Sequence, residues 1–124
     1  QMPWEFKSDR PIYAQLIEQI ELKICSGEYS PGSKLPSVRE LAQEISVNPN
    51  TLQRSFAKLE EDGLLFTNRT SGRFVTEDMN MICSIKSKIA KEHVQQFLEN
   101  MKKLGFETAE ILKMLKTMLE EMKK

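Results

Sequence analysis

Residues 37–63 read SVRELAQEISVNPNTLQRSFAKLEEDG, and two helix starts are written into them. Ser37 precedes an apolar-periodic run with Glu40 three residues on, the spacing of a capping box. Val38, Leu41, Ala42 and Ile45 then give a short helix one apolar face. Asn48-Pro49 restarts the chain, because asparagine caps well and proline is tolerated at a first helical position. Leu52, Phe56 and Leu59 line one side of this next helix, which Asp62-Gly63 ends. Two helices joined through Ser46-Val47-Asn48 have the dimensions of a helix-turn-helix, the second being the candidate recognition helix.

Working outward, Ile12, Leu16, Ile20 and Ile24 repeat every four residues behind Pro11, which sits where a first helical turn tolerates proline. Gly27 stops that helix, and Pro31-Gly32 marks a turn. On the other side, Leu64-Leu65-Phe66-Thr67 and Arg73-Phe74-Val75-Thr76 are runs of strand formers around the polar stretch Asn68-Arg69-Thr70-Ser71-Gly72. That predicts a β-hairpin, which makes the arrangement winged. From Met79 the strand signal is gone. Ile82, Ile85, Ile89, Phe97, Met101 and Leu104 suggest a long helix, Gly105 breaks it, and Thr108 is placed to cap another. The expected fold is mainly α with a small β-hairpin: a winged helix-turn-helix over residues 1–78, then a two-helix tail over residues 79–124.

Composition excludes most other classes. With 124 residues there is no room for a doubly wound sheet or a barrel carrying its own cofactor. A chain that is 40% hydrophobic and 29% charged is not disordered by composition. No apolar run approaches the ~18–20 residues of a membrane span, so no membrane partner is expected. No signal-peptide pattern opens the chain, and Gln1 predicts a processed amino terminus. Cys25 and Cys83 lie 58 positions apart without a CxxC pair, which favours two ordinary thiols in a reduced, cytoplasmic chain. His93 is the only histidine and has too few converging ligands for a metal. No nucleophile triad, paired carboxylates or phosphate-cradling glycine loop appears, so neither an enzyme nor a cofactor is expected.

Bulk charge does not announce a nucleic-acid partner. Eighteen basic groups balance eighteen acidic ones, and residues 1–78 alone carry nine against twelve. Local placement is more telling. Away from Leu52, Phe56 and Leu59, the third helix carries Asn50, Thr51, Gln53, Arg54 and Lys58. Asn and Gln can pair bidentately with adenine, Arg with guanine, and Thr or Lys can hold phosphates. Arg39 lies in the first turn of the second helix, beside backbone N–H groups that suit a phosphate. Arg69, Ser71, Gly72 and Arg73 cluster at the hairpin tip, where glycine permits close approach and arginine can enter a minor groove. Tyr13 and Phe56 read as core or core-edge residues rather than base stackers.

Here the sequence resembles the winged-helix domain of GntR-family transcription regulators. The resemblance rests on Pro11-Ile12-Tyr13 with Gln15, Gly27, Pro31-Gly32, Leu35-Pro36-Ser37, Arg39, Leu41-Ala42 and Val47-Asn48. It continues through Thr51-Leu52, Arg54, Leu59-Glu60, Gly63-Leu64 and Gly72 with Phe74-Val75, covering residues 10–76. It implies DNA contacts from Arg39 of the Pro-Ser-x-Arg motif, from Asn48, Pro49, Asn50, Thr51, Gln53 and Arg54, and from Gly72, with Ser37 beginning the first of these elements. Thr70 replaces a second wing glycine found in many members, and Pro49 and Gln53 replace arginines, so base preference does not carry over. The Asn-Pro-Asn-Thr run and the short tail resemble the YtrA subfamily, which implies a repressor of double-stranded operator DNA.

The last helix carries Ile111, Leu115, Met118 and Met122 on one stripe, widened by Leu112, Met114 and Leu119. One ~100° stripe suffices to pack on a single neighbour. The wider arc predicts a second copy of the chain over it, and so a homodimer reading a palindromic operator. No residue set nominates a small-molecule effector. The competing reading is a winged-helix module for protein contacts without specific DNA readout, whose DNA binding would be weak and insensitive to salt.

Overall fold

Pro11 lacks an N–H and adopts φ −59°, ψ 135°, so helix α1 begins one residue later, at Ile12–Cys25, with the Pro11 carbonyl accepting from the Gln15 N–H. Proline thus caps this helix instead of opening its first turn. Leu16, Ile20 and Ile24 face inward and are almost fully buried, each contributing about 1.5–3 kcal/mol of burial. The computed structural model describes residues 3–124; Gln1, on which the reading of the amino terminus rests, lies outside them.

Helix α2 (Val38–Ile45) starts at Ser37, whose Oγ accepts the Glu40 N–H at 3.1 Å. Glu40 reaches back to the Ser37 hydroxyl, which donates to its Oε1 at 2.9 Å, instead of to the Ser37 backbone. Ser46 closes the helix in the left-handed region, φ 59°, and the chain turns at once into helix α3 (Pro49–Glu61). Asn48 caps α3 by accepting the Asn50 N–H at 2.7 Å, with Pro49 in the first turn, as the spacing predicts. Leu52, Phe56 and Leu59 are buried, packing α3 on α1 and α2.

Strands β1 (Leu65–Asn68) and β2 (Gly72–Val75) form an antiparallel hairpin that pairs Leu65 with Val75 and Thr67 with Arg73. Residues 32–35 add to its outer edge: Leu35 N–H donates to the Arg73 carbonyl and Val75 N–H to the Ser33 carbonyl, both at 2.9 Å. The turn expected at Pro31-Gly32 therefore delivers an edge bridge to the wing, with Lys34 opposite Phe74.

Helix α4 spans Met79–Lys103 and α5 spans Thr108–Met122. Glu107, not Thr108, caps α5, and its N–H donates to Glu110 Oε1 at 3.0 Å. The chain divides into two compact units, the first ending at Lys86 and the second comprising residues 87–124. The first runs past the Glu77-Asp78 link because Ile82 is buried in its core, with Met81 and Ile85 packed beside it. In the second, Ile111 is the one buried residue, while Leu112, Leu115, Met118, Leu119 and Met122 are exposed. Among the described residues no helix is long and apolar enough to cross a membrane.

Candidate nucleic-acid interface

Helix α3 is held so that one side faces the core and the other faces water. Ser55, fully buried, shares its single hydroxyl hydrogen between the Tyr13 carbonyl at 3.2 Å and the Thr51 carbonyl at 3.1 Å, tying α3 to the start of α1. Asn50, Gln53 and Arg54 stand exposed on the opposite side, with Thr51 half-buried between them. Asn48 Oδ1 accepts the backbone N–H of Asn50, and the exposed Asn50 side chain carries the paired donor and acceptor atoms of a carboxamide. Arg54 is oriented: its guanidinium lies 4.8 Å from the centroid of the Tyr13 ring.

Ser37, Arg39, Asn48 and Pro49 are exposed at the starts of α2 and α3. Lys58 behaves differently. Its Nζ lies 3.4 Å from Asp62 Oδ1, and that hydrogen bond holds its ammonium above the usual lysine value.

At the wing tip Asn68 accepts the Thr70 N–H at 3.1 Å, and Arg69, Thr70, Ser71 and Gly72 are exposed. Gly72 has φ +112°, which L side chains rarely adopt, and a Cβ there would come within 3.0 Å of Lys34 Cε. Arg73 departs from the free groove contact its position suggests. Its side chain is only 17% exposed, with Nε donating to Glu60 Oε1 at 2.6 Å and the guanidinium 5.0 Å from the Phe56 ring centroid.

An open groove between the start of α2 and the wing is lined by Lys34, Ser37, Glu40, Phe56, Gly72 and Arg73. Three contributors escape sequence reasoning. Tyr13 supports Arg54 from another helix, Lys34 is carried to the wing by the edge pairing of residues 32–35, and Glu60 occupies Arg73. Nothing in local spacing signals these pairs, although Glu60 does stand four residues after Phe56 on one helical face. Cys25 and Cys83 are free thiols, and burial pushes the Cys25 thiol up, away from the reactive range.

The profile of bacterial regulatory proteins of the gntR family matches residues 12–75, from α1 to the end of the wing. The HTH-type transcriptional repressor YtrA of Bacillus subtilis is 33% identical over 94% of this chain and 91% of its own length. The structure of a GntR family transcriptional regulator from Listeria monocytogenes superposes with a TM-score of 0.84 at 40% identity, over 90% of this chain and 98% of that one. The DNA-binding domain of AraR, solved in complex with operator ORX1, superposes with a TM-score of 0.52 at 30% identity, over 61% of this chain and 93% of that domain.

Proposed function

The chain belongs to the GntR family of bacterial transcription regulators, and from that premise we propose that it is a homodimeric repressor reading a palindromic operator. The observation that carries the DNA reading is the exposed row Asn50, Gln53 and Arg54 on a helix whose other side is locked into the core. AraR, whose domain superposes on this one, was solved on operator DNA, which supports giving the same exposed surface the same partner.

In this reading α3 enters the major groove. Asn50, Gln53 and Arg54 face base edges, and Thr51 and Arg39 hold phosphates. Ser37, Asn48 and Pro49 set the helix starts at the backbone. Ser71 and Gly72 bring the wing against a neighbouring groove, with Lys34 adding a positive charge. Lys58, shared with Asp62, steers the backbone rather than reading sequence. The reading head, expected over residues 1–78, runs on through the start of α4 to Lys86, and residues 87–124 are left as the dimerisation element.

The homodimer rests on α5. Leu112, Leu115, Met118, Leu119 and Met122 are all exposed, a continuous apolar face larger than a lone helix keeps in water. A second copy would cover it through the same residues, as two-fold symmetry requires. Two reading heads held together also offset the absence of net positive charge, because the second engages at high effective concentration. Repression carries over from YtrA, which this chain matches along nearly its whole length.

The test is a band-shift with the duplex upstream of the protein's own coding region, repeated across a salt series. Specific retardation that weakens steeply with salt supports the reading; weak, salt-insensitive binding favours a protein-contact module instead.

A further inference from the structure

Position and charge make Arg73 look like a wing-tip DNA contact, yet the structure commits it elsewhere. Glu60 lies in the last turn of α3, and its Oε1 takes two donors at once: the Arg73 Nε–H at 2.6 Å and the Thr67 hydroxyl. Thr67 and Arg73 face each other on one rung of the hairpin. A single carboxylate oxygen on α3 therefore gathers one residue from each wing strand. The same guanidinium lies 5.0 Å from the ring centroid of Phe56, one turn earlier on α3 and fully buried. The Arg73 carbonyl accepts from Leu35 N–H, which brings the edge segment into the same assembly.

We propose that Glu60 is a positioning residue for DNA recognition: with Arg73 and Phe56 it forms a strut that fixes the wing at a set distance and angle from the recognition helix. The proposal rests on the DNA-binding reading above. An acidic residue beside a DNA-facing surface repels phosphates, so Glu60 needs a compensating role. Holding both wing strands is such a role, and it removes Arg73 from the set of free cations.

Electrostatics and geometry make opposite forecasts here. Were Arg73 a phosphate contact and Glu60 an idle acid, Glu60→Ala would tighten binding. Arg73→Ala would then lower the salt slope by about one. A strut requires both single variants to weaken binding by about five- to tenfold, with the double variant no weaker than either. The salt slope stays at its wild-type value. Glu60→Gln, which keeps an acceptor for both donors, retains most of the affinity.

The experiment uses the full chain and a fluorescent duplex that the wild type has selected from a random pool, titrated over a salt series. A second arm needs no DNA: amide exchange of the wing in the protein alone. Faster exchange in β1 and β2 of Glu60→Ala, with α1 and α3 protected as in wild type, supports the strut. Unchanged wing exchange overturns it, as does tighter binding by Glu60→Ala or additive losses in the double variant. A wild type that selects no duplex defeats the DNA reading instead, and the exchange arm still decides the strut.

Discussion

The guanidinium of Arg54 on α3 lies over the ring of Tyr13 on α1, 4.8 Å from its centroid, while the Tyr13 carbonyl accepts from Ser55, the next residue of α3. One residue of α1 thus fixes both the position of α3 and the direction of its exposed arginine. Stacking limits the rotamers that Arg54 must otherwise give up on binding.

From this, Arg54→Ala should weaken operator binding by ~1–3 kcal/mol and relax specificity at one base pair. Tyr13→Leu keeps the apolar contact but loses the ring, and should reproduce part of that loss with an unchanged thermal midpoint. Anisotropy titrations of both variants and the double variant check it. Additive losses would show that Tyr13 does not act through Arg54.

Asn50 is exposed in the first turn of α3, with its N–H already bonded to Asn48. Asn50→Ala should shift which sequence is preferred more than it weakens binding to unrelated DNA. Selection from a random pool reads this directly, and the same consensus from both proteins would contradict it.

Gly72 adopts φ +112° at the wing tip. Gly72→Val forces a β-branched residue into a conformation costing about 1–3 kcal/mol, and Lys34 must move aside. The strain is confined to the tip, so the thermal midpoint should fall little while DNA affinity falls clearly. Full affinity in this variant would mean that the wing stays clear of the duplex.

Burial draws the Glu60 carboxyl upward, but the Thr67 hydroxyl and the Arg73 guanidinium outweigh it and hold it below its ordinary value. A carboxylate depressed in the folded state stabilises it above the unfolded value of about 4.3, and that contribution is lost as pH falls through the folded value. Wing amide shifts should therefore titrate in acid before the α1–α3 core responds, and Glu60→Gln should abolish the step. NMR titration of both proteins tests it; identical titrations would remove Glu60 as the cause.

Leu115 lies in the exposed apolar face of α5. Leu115→Glu places a charge where a second chain would bury it unpaired, at a cost of several kcal/mol. Light scattering should report a monomer, with α1–α3 still folded and operator binding greatly reduced. A variant that stays dimeric, or a wild type that is already monomeric at micromolar concentration, would refute α5 as the seam.

What the chain determines by itself lies within a few residues of each decision. Ser37 and Asn48 cap because their oxygens reach amides two or three positions on. Leu16, Ile20 and Ile24 share a face because a helix repeats every ~3.6 residues. The helix order, the helix-turn-helix, the hairpin and the exposure of Asn50, Gln53 and Arg54 are legible on these grounds. The spacing points to Thr108 as the cap of α5, whereas Glu107 takes that place because it offers the Glu110 pairing. The partners of the charged and aromatic side chains lay beyond such reasoning. Arg73 meets Glu60, Arg54 meets Tyr13, residues 32–35 pair with β2, and Ile82 enters the core only once distant segments have been brought together. Residue type tells what an arginine can bond to; only the packed backbone decides whether a carboxylate, an aromatic ring or open water stands within its reach.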